Sequence, residues 1–307
     1  MRRLEFRAMG CQMLAVVDAD DAAAMDALKQ TPVWFEDWEA HLSRFRPASE
    51  LSQLNRAAGG DLPASDVMLQ VIEHALSAAR ASGGLVTPTV LDALTAAGYD
   101  RTFEAVAASN QPVGSARVPD WRTLKLDAKA CTIRLPRGMH LDLGGTAKGW
   151  AANEAMRRLA AFGPALVDAG GDIATSGAMT NGDGWPIAIA DPFSPDDDLA
   201  MLTLVGGAVA TSGKDFRRWE RNGKLQHHIV DPRTGQPAET DVLSATVIAP
   251  TAMQAEVAAK VALILGSRAG LEWIEARREL AALLVLDDGY VAQSKRMRDF
   301  IFERNDL

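Results

Sequence analysis

The sequence predicts an α+β fold, with antiparallel sheets and helices. Three observations carry this. Strand-like segments come in pairs joined by short turns, as at residues 121–136. Helical patterns gather in blocks, near 20–82 and 251–280. Regular strand–helix–strand alternation is absent, which argues against a doubly wound sheet.

The elements follow in order. Residues 11–19, CQMLAVVDA, read as a strand ending in an acidic turn. From 20 to about 45 the apolar residues Met25, Leu28, Trp34, Trp38 and Leu42 recur at helical spacings. Ser49 is a cap and Glu50 a first-turn acid, so a second helix spans 49–56. A third covers 64–82 and is closed by Gly83 and Gly84. WRTLKLD and CTIRLP alternate apolar with polar around AKA and predict a hairpin. MHLDLGG, 139–145, reads as a strand entering a turn, and 146–162 as a helix. Short strands with glycine corners follow at 164–177, 185–192, 202–213, 225–232 and 242–250. Two helices, 251–266 and 267–280, precede a closing hairpin at 281–294. The stretch 194–200, SPDDDLA, reads as a solvated acidic loop. No repeat or low-complexity linker divides the chain, so one domain with two lobes is expected, with a loose boundary near 100–120 where periodicity is lost.

Composition narrows the function. The chain has 307 residues, 48% hydrophobic and 23% charged, enough for one large core or two smaller ones. A net charge of -8 argues against nucleic-acid binding, although a local basic pocket can still hold a phosphate ligand. Cys11 and Cys131 have no metal-type spacing and read as buried reduced thiols. MRRLEFRAMG lacks an apolar signal core, and no run approaches ~18 apolar residues. A cytoplasmic protein without a transmembrane segment is the expectation.

Four stretches could carry chemistry, and each has a plainer reading. In LDLGGTAKGWAAN, Asp142 precedes a double-glycine turn, and Lys148 lies in the first turn of a helix. Free amides and an ammonium there make a local anion site, or the segment is only a glycine turn and a capped helix. DAGGDIATSG and VATSGKDF offer donors at close-approach corners, or are tight hairpin corners. His227 and His228 point to opposite faces if extended, so only one can face a given site as a base; the alternative is a surface turn with one packed histidine. Glu256 and Lys260 share one face of an otherwise apolar helix, so they pair, serve a ligand, or form a bridge at its wet edge.

In this order the segments resemble the ApbE family, the FAD:protein FMN transferases. The matching stretches are RAMGCQM, SRFRPASELSQLN, GGLVTPTVLDAL, LDLGGTAKG, DAGGDIATSG, ATSGKDF, HHIVDPRTGQP and SATVIAPTAMQAE. The likeness implies a T-fold-like architecture with FAD in a cleft between two lobes. It implies transfer of FMN from FAD to a threonine of an acceptor flavoprotein, with release of AMP. His228 then matches the base. Met9, Phe45, Leu85, Val86, Thr87, Asp142 and Lys148 match FAD contacts. Gly145 matches a position whose carbonyl faces a magnesium ion.

Some positions depart from the family. It usually has Asp and Thr, both magnesium ligands, where Glu256 and Lys260 stand here. Glu256 can still ligate; Lys260 has donors only, and can face the pyrophosphate with its own charge. Thr87 replaces a common Asp, and Cys11 a common Thr. The alternative function is an FAD-binding protein with little transferase activity, or a slow FAD pyrophosphatase.

Overall fold

The computed structural model describes residues 1–194 and 196–302. Strand β1 (Arg2–Ala8) turns through Met9 and Gly10 into β2 (Cys11–Val17). Both turn residues have positive φ, 49° and 69°, the tight geometry whose twist suits a hairpin. β1 lies outside the strand expected at 11–19. It is a charged edge strand whose inward side is only Leu4, Phe6 and Ala8.

Asp21 caps helix α1 (Ala22–Leu42) by accepting the Ala24 N–H at 2.7 Å. The helix ends before residue 45. Ser43 is extended, and its hydroxyl accepts the Phe45 N–H at 3.3 Å. Arg44 and Phe45 are thereby turned off the helix. Ser49 caps α2 (Glu50–Arg56) as its sequence predicts. β3 (Gly60–Pro63) leads to α3 (Asp66–Ala81), capped by Ser65, and α4 (Leu91–Ala97) ends at left-handed Gly98. β4 (Lys125–Asp127) and β5 (Thr132–Leu135) form the expected hairpin, joined by β3.

Residues 139–145 do not form a strand. Their backbone groups are claimed elsewhere. Asn55 accepts the Leu141 N–H and donates to its carbonyl, and the Asp142 N–H goes to Pro88 O. Helix α5 (Ala147–Leu159) follows. Then come β6 (Ala165–Ala169), β7 (Asp172–Thr175), β8 (Trp185–Ala190), β9 (Asp198–Leu204) and β10 (Gly207–Gly213). β9 begins inside the stretch read as an acidic loop, and Pro195 of that stretch lies outside the described residues. β11 (Arg218–Arg221) pairs with β12 (Lys224–His227), and β13 (Val230–Asp231) with β14 (Gln236–Pro237). The expected strand at 225–232 is therefore broken at His228. β15 (Val242–Ala249), α6 (Ala252–Leu265), α7 (Ser267–Glu275), β16 (Ala281–Leu286) and β17 (Val291–Gln293) complete the chain; α7 stops short of residue 280.

The main sheet is antiparallel, in the order β1-β2-β6-β7-β10-β15-β16-β17. One face packs on helices: Phe35 and Trp38 of α1 and Trp150 of α5 meet edge to face at 5.1 and 5.2 Å. The β8–β9 hairpin covers the other face, seating Trp185, Ile187 and Leu202 against Val209, Ile248 and Leu283. Burial on both faces explains runs such as AALLVL, which lack polar alternation. Cys11 is half-buried and Cys131 is exposed in the β4–β5 turn, so the expected burial of both thiols does not hold. Among the described residues no helix is long and apolar enough to cross a membrane.

Candidate functional site

The break after β12 separates the two histidines chemically. His227 Nε2 lies 3.1 Å from Ala238 O, and its Nδ1 accepts the Ile229 N–H at 3.3 Å. Both nitrogens are spent on holding the corner, in a neutral tautomer, and burial pushes the ring's pKa down to about 4. His228 differs: its Nδ1 is enclosed with no partner, while part of the residue remains accessible. Burial holds its pKa well below the usual histidine range, and Arg217, Lys260 and Lys148 press the same way. It is therefore a neutral imidazole at pH near ~7.

The following turn fixes this corner. Asp231 Oδ1 accepts the Arg233 N–H at 2.9 Å, and Asp231 O accepts the amides of Thr234 and Gly235. A Cβ on Gly235 would stand 2.0 Å from Ala116 O, and its φ is +68°, so only glycine fits.

An aromatic wall faces His228. Tyr99 lies 6.5 Å from the imidazole and stacks on Trp219 at 5.5 Å, and Phe45 packs 5.7 Å from Tyr99. Arg44 lies over both rings, 4.1 Å from Phe45 and 4.7 Å from Tyr99, and donates to Tyr99 O at 2.8 Å. Its Nε is 2.7 Å from Asp142 Oδ2 but off hydrogen-bond direction, so the contact is an ion pair. Asp142 Oδ1 accepts the Gly144 N–H at 3.0 Å, which shapes the glycine turn.

Met9 keeps its left-handed backbone by donating its N–H to Glu39 Oε2 at 3.0 Å. Arg217 reaches this turn, with Nη2 3.4 Å from Gly10 O and 3.1 Å from Cys11 Sγ. No carboxylate lies within ion-pair distance of Arg217 among the described residues. Leu85 and Val86 pack on Val257 and Val261 of α6, and Thr87 bonds Thr89 at 2.9 Å. Their side chains are structural, and so is much of their backbone: the Leu85 N–H goes to Ser82 O at 3.3 Å and the Val86 N–H to Ser82 Oγ at 3.0 Å.

Lys148 is not the free ammonium its position suggested. It is ion-paired with Asp172 at the start of β7. Burial opposes its charge, but Asp172 and Glu256 outweigh burial and its pKa is raised. Glu256 is fully buried and Lys260 is 17% exposed, so the pair does not sit at a wet edge. Glu256 Oε1 accepts from Lys260 at 3.1 Å, and Oε2 accepts the Gly149 N–H at 3.0 Å. The Lys260 stem passes Gly145, whose Cβ would stand 3.5 Å from Lys260 Cε. Among the described residues no cluster of three or more His, Cys, Asp or Glu could hold a metal.

The structure thus links His228, Phe45, Asp142, Lys148, Lys260, Gly145 and Glu256 through shared neighbours. Sequence reasoning missed Arg44, Tyr99, Arg217 and Asp172. Arg44 adjoins Phe45 in the sequence, but its partner Asp142 is 98 positions away and gives no local signal.

Comparison with known proteins bears on the family and the fold. The ApbE family model matches residues 9–284. An FAD:protein FMN transferase of Treponema pallidum is 32% identical over 294 residues, covering 89% of this chain and 80% of that protein. One from Salmonella typhimurium is 28% identical over 282 residues, with the same two coverages. Among solved structures, the ApbE protein of Thermotoga maritima superposes with a TM-score of 0.88 at 24% identity, over 98% of this chain and 99% of that one. The apo flavinyl transferase ApbE of Pseudomonas stutzeri gives 0.81 at 22%, over 97% and 96%. At these identities the superpositions speak for the fold.

Proposed function

The chain belongs to the ApbE family, and from that premise we propose that it transfers the FMN half of FAD to an acceptor flavoprotein, with AMP as leaving group. The acceptor atom is a threonine hydroxyl. Its oxygen bonds to the FMN phosphorus, the phosphorus–oxygen bond to AMP breaks, and AMP departs with that electron pair. The hydroxyl proton passes to His228.

The observation that supports this most directly is the contrast between the histidines. His227 spends both nitrogens on structure, while His228 is a neutral ring with an unspent nitrogen among cations. A bound diphosphate would offset those cations and raise the proton affinity of His228, so the base strengthens once FAD is in place. Met9, Phe45 and the 85–87 segment would contact the flavin nucleotide, with Asp142 fixing the glycine turn and Lys148 held by Asp172 at the start of the following helix.

The resident residues do not fit a magnesium ion. Both Glu256 oxygens are engaged, and Lys260 offers donors where an ion needs oxygen ligands. No step here passes through a metal.

The test is incubation with FAD and an acceptor domain carrying the target threonine, read as flavin fluorescence on the acceptor in a gel. The wild type is expected to label the acceptor. His228→Asn is expected to bind FAD and label nothing; undiminished labelling would remove His228 from the role of base.

A further inference from the structure

We infer that Lys260 is a built-in cation replacing a divalent ion, so that this chain holds FAD and transfers FMN without a metal at helix α6. The FAD ligand is taken from the function proposed above. The remainder is carried by the surroundings of Lys260.

Glu256 is wholly enclosed by an apolar helix, with Ala255, Val257, Ala258 and Ala259 all buried around it. Such a carboxylate requires partners, and it already has two: the Gly149 amide at 3.0 Å and the Lys260 ammonium at 3.1 Å. A divalent ion would have to displace the ammonium and then lie beside it. Magnesium also sheds its hydration shell reluctantly and needs several oxygens, and the neighbouring carboxylate, Asp172, is already ion-paired with Lys148.

Lys260 is well placed to do the ion's work. One of its three donors is on Glu256, which leaves two. Its stem runs past Gly145, so the head stands beside the glycine turn of 141–149 and is 17% exposed. Its charge is felt at both His228 and Asp172. Arg217 supplies a second positive charge that no carboxylate balances among the described residues. A fixed ammonium and a guanidinium can neutralise a diphosphate by preorganised charge.

The test measures FAD affinity by quenching of flavin fluorescence, in EDTA and in excess magnesium, with acceptor labelling in the same buffers. Wild-type affinity and labelling are expected to agree between buffers within about twofold. Affinity that tightens about tenfold with magnesium, or labelling lost in EDTA, would overturn the inference. Metal-insensitive binding with no labelling in either buffer would sink the transferase reading and leave Lys260 in its role. Lys260→Thr is expected to bind FAD more weakly in EDTA and to regain affinity with magnesium. Because a lone buried Glu256 endangers folding, Glu256→Gln with Lys260→Met is the companion variant. It is expected to lose FAD affinity about tenfold, and full retention would overturn the inference.

Discussion

Glu256 on α6 accepts the backbone N–H of Gly149 on α5 at 3.0 Å. The contact joins two helices and places a carboxylate at the amino end of α5, where amides are unpaired and the helix dipole favours negative charge. It requires a residue without a side chain. A Cβ on Gly149 would stand 2.8 Å from both Ala252 O and Glu256 Oε2. Gly149→Ala should destabilise the fold by about 1–3 kcal/mol in urea unfolding, because backbone must move to admit it. Gly145→Ala is the contrasting case. Its Cβ meets Lys260 Cε at an ordinary 3.5 Å, so the fold should hold while FAD affinity falls. Equal stability of the two variants would show that the helices are not in close contact.

Arg44 and Asp142 form the ion pair beneath the aromatic wall, with side chains 7% and 10% exposed. Removing one charge strands the other. Arg44→Ala should cost about 3–5 kcal/mol, measured by chemical denaturation. Arg44→Met combined with Asp142→Asn should cost less than Arg44→Ala alone, because no buried charge is then unpaired. A larger loss in the double variant would mean that the pair is stabilising beyond mutual neutralisation.

The legible and illegible parts of this site divide along sequence distance. Helix α2 was legible because Ser49, its cap, sits next to the pattern it starts. The β4–β5 hairpin was legible because both strands and their turn fit in sixteen residues, 121–136. The stretch 139–145 was misread because its alternation is strand-like while its hydrogen bonds go to Asn55 and Pro88. Nothing nearby signals such partners. Lys148 looked like a free cation for the same reason, since Asp172 is 24 positions on. The pairing of Glu256 with Lys260 could be read from helical spacing, but the Gly149 amide, 107 positions away, could not. Motifs therefore pointed to residues that share neighbours in the fold, and tertiary packing decided which of their charges are already balanced.

Met9 holds φ 49° in a two-residue turn where glycine or asparagine is the usual choice. A non-glycine residue there costs about 1 kcal/mol, and strain of this kind collects at functional sites. Met9→Gly should raise stability by up to roughly 1 kcal/mol in thermal unfolding. It should also weaken FAD binding, because the side chain that the strain presents is gone. Raised stability with unchanged FAD affinity would show that Met9 is tolerated there without touching the ligand.

His74 offers a pH test of the core beside Lys260. Its Nε2 is buried with no partner, and burial, helped by Lys260, pushes its pKa down to about 4. In the unfolded chain it titrates near ~6.5. Between those values the unfolded state binds a proton that the folded state refuses. Stability from this group is therefore complete above ~6.5 and is lost as pH falls, at about 1.4 kcal/mol per pH unit. His74→Leu has no such loss. Its stability relative to wild type should improve by about that slope between roughly pH 6.5 and roughly pH 5, whatever its offset at neutral pH. Other titrating groups, such as Asp168, whose carboxyl burial pushes up, act on both proteins and cancel in the difference. Urea unfolding of the pair across that range reads the slope. A constant gap would mean that His74 accepts a proton in the folded protein, and that the pocket beside Lys260 is wetter than its burial implies.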